Sequence, residues 1–267
     1  MPKIKTLADI TRVHAQERGG ASALLSADDE REWTYADLDK QANLVANALI
    51  DSGIRPGHRI AYLDRNSPEY FIFLFGGAKV NAVSVAVNWR LATEEMEYIL
   101  NHSEATVLLI GEEFLSALRE MNLSAIKTVV VLGDPGESGH PTFDQWLVGR
   151  AATDPSVPIS PEDTCYQLYT SGTTGLPKGV ELTHSNFMHT MRDSLVATKM
   201  TRDSVNLVCM PLFHISGSGW GVVGLFNGAR SILLRDVDLG AILRLIPKFG
   251  ITHSLFVPAV LQFLLAE

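Results

Sequence analysis

Residues 169 to 180 read Tyr169-Thr170-Ser171-Gly172-Thr173-Thr174-Gly175-Leu176-Pro177-Lys178-Gly179-Val180, a run whose composition packing does not explain. Thr170, Ser171, Thr173 and Thr174 carry hydroxyls, Gly172 and Gly175 open the backbone N–H groups to close approach, and Lys178 adds a cation. Donors and a cation within one short loop are what a triphosphate needs. The bland rival is a glycine-rich hairpin tip, but idle turns rarely combine so many donors with a lysine. The nucleotide-triphosphatase loop is excluded, because it needs Gly-Lys followed by Ser or Thr at a helix start, and Lys178 stands between Pro177 and Gly179. No G-x-G-x-x-G opens a helix here, which excludes the dinucleotide fingerprint.

A second group of residues lies downstream. Pro211-Leu212-Phe213-His214 closes a strand-like run, and Trp220 stands among Gly217, Gly219, Gly221 and Gly224. Taken alone, a histidine after a strand is more often a satisfied core residue than a functional one. Trp220 and its glycines either line a tunnel or let a helix pack closely. His184 and His189 flank a helix start without a partner pattern and read as packing residues. The histidines are dispersed, and no HxxxH, CxxC or carboxylate-rich loop marks a metal site. No residue of this chain is assigned a catalytic role.

The elements that must hold these residues alternate. Cys165 to Tyr169 and Gly179 to Thr183 read as two strands around the loop, with Pro177 blocking helix continuation. Upstream, Leu7, Ile10 and Val13 mark a short helix, and Ala21–Leu25 with Arg31–Trp33 a hairpin. Thr34, with Asp37 three residues on, predicts a capped helix ending at Gly53. A strand at 59–63 leads to Asn66-Ser67-Pro68, where serine caps and proline takes the first helical position. The run Tyr70 to Phe75 is apolar almost all round and predicts an enclosed helix. A strand over 82–87, a helix capped by Thr93, a strand over 106–110, a helix over 112–120 and a strand over 127–132 follow, a pattern of parallel sheet. Ala151 to Pro161, with three prolines, is the expected junction between subdomains of about 1–160 and 161–267. Beyond the loop come a helix capped by Thr183, strands at 205–210 and 231–234, a helix started by Asp238, and a strand over 251–256. The fold class is α/β, with largely parallel sheets flanked by helices.

Composition narrows the function classes. With 267 residues, 46% of them apolar, the chain can bury a sizeable core. A net charge of -8 without local basic clusters argues against nucleic acid as a partner. Cys165 and Cys209 both sit in apolar runs and read as reduced core thiols, pointing to the cytoplasm. No apolar run reaches the length of a membrane span, which leaves only loose peripheral membrane contact open.

The stretch Thr170 to Gly179 resembles the phosphate-loop signature of the adenylate-forming superfamily, which includes acyl-CoA synthetases, luciferases and peptide-synthetase adenylation domains. Trp33 to Leu38 resembles the family's opening motif. Gly77 to Val83 resembles its second core motif, departing at Asn81, where relatives carry glycine, which bears on local backbone geometry rather than function. Asn88-Trp89-Arg90-Leu91 is similar to the Asn-x-Arg-Leu run of acyl- and aryl-CoA ligases. Pro211 to His214 is similar to the motif beside their acyl-binding site.

The resemblance implies that Thr170, Ser171, Gly172, Thr173, Thr174, Gly175 and Lys178 hold ATP phosphates. It implies that His214, with Trp220, faces a carboxylic acid, a fatty acid being favoured. It also implies an acyl-adenylate, magnesium accompanying ATP, and coenzyme A as the acceptor thiol. Rivals are adenylation for carrier-protein loading, and a non-catalytic nucleotide- or partner-binding module. The family's adenine and ribose motifs, its metal-linked glutamate, and its C-terminal lid domain with the adenylation lysine do not occur in these 267 residues. The expectation is therefore the N-terminal large domain of an adenylate-forming enzyme, incomplete and inactive alone.

Overall fold

The computed structural model describes residues 4–170 and 175–266. In chain order its elements are α1 (Leu7–Arg18), β1 (Ser22–Ser26), β2 (Glu32–Thr34), α2 (Tyr35–Asp51), β3 (Arg59–Leu63), α3 (Pro68–Lys79), β4 (Val83–Ala86), α4 (Thr93–His102) and β5 (Ala105–Gly111). Then follow α5 (Leu115–Glu120), β6 (Thr128–Leu132), α6 (Phe143–Leu147), β7 (Thr164–Thr170), β8 (Lys178–Thr183), α7 (His184–Thr198) and β9 (Val205–Val208). The chain continues through α8 (Ile215–Phe226), β10 (Arg230–Leu233), α9 (Leu239–Phe249), β11 (His253–Ser254) and α10 (Pro258–Leu264).

Two sheets result. One has the order β6-β5-β3-β4-β7-β8, with only β8 antiparallel to its neighbour; the other has the order β11-β9-β10-β1-β2, with only β2 antiparallel. This is the α/β class with largely parallel sheets read from the alternation of elements. The sheets do not divide the chain near residue 160. β7 and β8, beyond the proline-rich segment, join the sheet of β3 to β6, whereas β1, near the start of the chain, pairs with β10. Pairing between distant strands, not local composition, draws that line.

Local signals hold in most places and fail for definable reasons. Thr34 accepts from the Asp37 amide, and Asp37 returns the bond to the Thr34 amide at 3.1 Å, a complete capping box. At α4 the cap is Ala92, one residue before the expected Thr93, because the Glu95 carboxylate accepts from the Ala92 amide at 3.1 Å and does the capping from inside the helix. The expected helix over 112–120 opens as a 3-10 turn, Glu112–Phe114, before α5. The expected strand over 251–256 is only the two residues of β11, at a sheet edge. Asn81 adopts φ +57°, the left-handed conformation that glycine would take more easily, and its side-chain amide donates to Asp163 at 2.8 Å.

All twelve residues of α3 are buried. Pro68 occupies its first turn, but the Ser67 hydroxyl lies 3.0 Å from the Tyr62 hydroxyl instead of capping the helix. The far end of α3 brings a lysine into the core. Lys79, with a fully buried side chain, donates to Asp39 and to Asp154, each at 2.8 Å. Arg12 holds the same Asp154 through two bonds of 2.7 and 2.9 Å. Asn43 and Asn47 donate to the carbonyls of Ala152, Ala151 and Thr153, so the expected linker is docked along α2. Cys165 and Cys209 are buried free thiols, and burial pushes Cys209 up to about 12. Among the described residues, no helix is long and apolar enough to cross a membrane.

Against the opposing effect of burial, hydrogen bonds from Arg12 and Lys79 hold the Asp154 carboxyl well below the usual carboxylate range. A carboxyl depressed in the folded state contributes stability that is fully present above its unfolded value, about 3.9, and is lost as pH falls through the folded value. Lys79→Met should cost about 3 kcal/mol in urea denaturation at pH 7, the low end for breaking a buried pair, since both carboxylates keep some water. The variant should also show a smaller loss of stability below pH 4 than the parent chain.

Candidate functional site

The C-terminal ends of parallel strands from both sheets converge, the usual place for a ligand in an open α/β sheet. The side chain that joins them is Asn66, just after β3 and 5% exposed. Its amide nitrogen donates to the carbonyls of Met210 and Leu234, at 3.2 and 3.0 Å, and its oxygen accepts from the Leu212 amide at 2.9 Å. One residue after β3 thereby fixes the loops after β9 and β10.

Beside it, Trp89, in the loop after β4, carries the Arg65 guanidinium at 4.5 Å and the Arg90 guanidinium at 4.8 Å from its ring centroid. Phe213 meets the same indole edge-on at 6.3 Å. The Asn-x-Arg-Leu and Pro-Leu-Phe-His stretches are therefore in contact. Arg65 is also paired with Glu113 and Asp236. Arg90 is different: it is exposed, and among the described residues no carboxylate lies within ion-pair distance of it.

The loop-bearing hairpin leaves the same end of the sheet. Thr170, the last residue of β7, pairs with Lys178, the first of β8, and both are exposed. Gly175 adopts φ +118°, which residues with a side chain rarely do. The candidate residues Ser171, Gly172, Thr173 and Thr174 lie outside the described residues. A Cβ at Gly179 would displace the end of the Gln167 side chain that packs there.

His214 precedes α8 in an extended conformation, and its carbonyl accepts from the amides of Gly217 and Ser218 at 2.9 and 3.0 Å. Its ring lies 4.4 Å from that of Phe213. Partial burial, and then the positive charge of Arg90, depress its pKa, so the imidazole is neutral at pH 7. Trp220 donates its indole N–H to the Leu207 carbonyl at 3.1 Å. With Gly219, Leu182, Phe187, Met191 and Val223 it lines an apolar cleft of about 290 Å³ between α7 and α8. Ile215, not His214, is the neighbour that reaches this cleft.

The glycines divide: Gly219 lines the cleft, whereas Gly217 packs on the carbonyls of Met210 and Pro211, Gly221 on Phe71, and Gly224 on Asn206 and Ser231. His184 is a buried packing group, its Nδ1 accepting from the Leu7 amide at 3.1 Å, and burial lowers its pKa to about 4. His189 is exposed on α7.

Sequence reading missed Asn66, Arg65 and the role of Arg90. Asn66 looked like an ordinary turn residue before Ser67-Pro68. The one available signal for Arg90 was its place beside Trp89, since adjacent aromatic and guanidinium groups are apt to stack.

Residues 11–267 match the family described as AMP-binding enzyme. A fatty acid–[acyl-carrier-protein] ligase, ScoC, of Streptomyces coeruleorubidus is 35% identical, covering 100% of this chain and 50% of its own length. A feruloyl-CoA synthase of an Amycolatopsis species is 34% identical over 88% of this chain and 45% of its own. The inhibitor-bound N-terminal domain of FACL13 from Mycobacterium tuberculosis superposes with a TM-score of 0.88 at 27% identity, covering 98% of this chain and 65% of that one. The chain spans about half the length of the curated relatives it matches.

Asn66→Ala strands two buried carbonyls and one buried amide. It should cost about 2–4 kcal/mol of stability, and amide hydrogen exchange should accelerate at Leu212 more than at core positions of β5.

Proposed function

Because the chain belongs to the AMP-binding enzyme family, we propose that it carries the phosphate-facing and acyl-facing parts of an AMP-forming ligase for a carboxylic acid, with a fatty or similarly apolar acid favoured. The observation that carries this reading is the pairing of Thr170 with Lys178 at an exposed hairpin mouth, on the strand ends where Asn66 also fixes the loops after β9 and β10. In this reading the substrate carboxylate attacks the α-phosphate of ATP, an acyl–phosphate bond forms, and pyrophosphate leaves. An acceptor thiol then attacks the acyl carbon and AMP departs with the bonding electron pair. Such transfers depend mainly on positioning and on neutralising phosphate charge. Lys178 serves the phosphates, and the cleft beside Trp220 receives the apolar part of the acid.

Magnesium enters this scheme on the nucleotide. Among the described residues, no group of three or more His, Cys, Asp or Glu gathers to hold a metal, so the chain's own part is to present Lys178 and the hairpin backbone to the phosphates. The acceptor is coenzyme A in the first reading. Loading of a carrier-protein thiol is the second, favoured by the relative named as a fatty acid–[acyl-carrier-protein] ligase, which matches the whole of this chain. Residues 1–267 alone are proposed to bind nucleotide without completing thioester synthesis, in keeping with their spanning about half of the relatives' length.

Calorimetry with ATP should detect binding to the purified chain and a roughly tenfold weakening, about 1.4 kcal/mol, in Lys178→Ala. Equal affinity in the two proteins overturns the role of the lysine. With ATP, a long-chain fatty acid and CoA together, mass spectrometry should find no acyl-CoA. Robust formation overturns the proposal that the chain is inactive alone.

A further inference from the structure

We propose that α4 is the positioning element of the phosphate-facing hairpin, with Tyr98 and His102 as positioning residues that tether its two stems. The proposal rests on the reading that this hairpin takes nucleotide phosphates.

Tyr98 and His102 stand four residues apart and share one face of α4, with rings 5.2 Å apart. Each reaches a different stem. The Tyr98 hydroxyl donates to the carbonyl of Pro177 at 3.3 Å, one residue before Lys178. His102 Nδ1 lies 2.8 Å from the hydroxyl of Tyr169, one residue before Thr170, and the two rings meet edge-on at 5.7 Å.

The second tether is shared with a third side chain. The Gln167 side-chain amide donates to the Tyr169 hydroxyl at 3.1 Å. A phenol oxygen that accepts this bond keeps its own proton to donate, and His102 Nδ1 lies within reach of it. Burial pushes the Tyr169 phenol up to about 12, so it keeps that proton at neutral pH. Gln167 itself packs against Gly179 on the opposite strand, and the chain of contacts closes across the hairpin.

The hairpin needs such a support. β8 is an edge strand, paired on one side only, and a strand so placed is held less firmly than a central one. α4 is a firm anchor, since its Met96, Ile99 and Leu100 are buried in the core beside β5. It also begins directly after the loop of Trp89 and Arg90. One rigid helix thus links the loop that meets Phe213 to both stems that end in Thr170 and Lys178. Charge neutralisation in phosphoryl chemistry is sensitive to misplacement of about 1 Å, so a tether one residue away from each of these groups bears on affinity without touching the ligand.

The test compares Tyr98→Phe, His102→Leu and His102→Asn with the parent chain and Lys178→Ala. In ATP calorimetry, Tyr98→Phe and His102→Leu should each weaken binding about three- to tenfold, the effect of one lost hydrogen bond. His102→Asn, whose side-chain amide can bond where Nδ1 does, should restore most of it. Melting temperatures should stay within about 2 °C of the parent, as for other substitutions of partly exposed groups. In the nucleotide-free chain, amide exchange at the hairpin mouth should accelerate at least about fivefold in Tyr98→Phe and His102→Leu. Unchanged exchange overturns the tether whether or not ATP binds. Parent-like ATP affinity in both variants, with Lys178→Ala weakened, overturns the positioning role and leaves the phosphate reading standing. Absence of ATP binding by the parent chain overturns the phosphate reading and with it the positioning role. A loss of affinity matched by a fall in melting temperature assigns the two side chains to stability alone and also overturns the proposal.

Discussion

A helix buried on every side, as α3 is, gains its stability from apolar contact, but apolar contact is non-directional and fixes neither its rotation nor its depth along its own axis. Polar groups at its two ends do that. Asn66, two residues before Pro68, accepts from one loop amide and donates to two loop carbonyls. Lys79, the last residue of α3, is held by Asp39 and Asp154. A shift of one helical turn would move either group about 5 Å, breaking every one of these bonds and leaving a buried charge unpaired. The two clamps therefore convert a well-packed helix into a measuring rod, with one end at the loops after β9 and β10 and the other at the segment around Asp154.

The consequence for the site is that its parts are positioned by the same rod. The loops after β9 and β10 hang on Asn66, and His214 and Phe213 follow directly from the first of them. Phe213 meets Trp89, and the loop of Trp89 runs into α4. The hairpin that ends in Thr170 and Lys178 is paired to β4, the strand that follows α3. The contacts that join these segments, Asn66 with the loops after β9 and β10, Trp89 with Phe213, and β4 with β7, are all distant in sequence.

That non-locality explains what could be read beforehand. Caps such as Thr34 with Asp37, or Thr183 with Asn186, are complete within four residues, and they stand as their sequences imply. The apolar run of α3 announced its burial, and the alternation of strand and helix announced parallel sheets. Asn66 was illegible because its partners lie 144 to 168 residues away. The buried role of Lys79 was equally illegible because its partners stand 40 and 75 residues off. The two sheets do not separate near residue 160 for the same reason, since prolines mark a change of local conformation but say nothing about which strands pair. Trp220 could be placed in a helix but not in a cleft until α7 was seen to lie against it, while the neighbouring glycines at 221 and 224 were taken up by Phe71, Asn206 and Ser231.

In the proposed phosphate-binding role, a loop on an edge hairpin works under a constraint that a strand-to-helix loop escapes. A helix N-terminus adds about half an elementary positive charge to its free N–H groups, whereas strand dipoles largely cancel. Beyond what the backbone N–H groups of a turn supply, positive potential must come from side chains, in a chain whose net charge is -8. Lys178 supplies one cation at the start of β8. Arg90 supplies another on the loop before α4, held 4.8 Å from Trp89 and 5.9 Å from Phe213 by ring faces that leave its charge intact. Three carboxylates of the loops after β3, β5 and β10 are committed to other arginines, Glu113 to Arg65 and Arg235, Asp64 to Arg235, and Asp236 to Arg65. Those ion pairs therefore do more than tie loops together: they engage three acidic groups elsewhere, and among the described residues no carboxylate lies within ion-pair distance of Arg90.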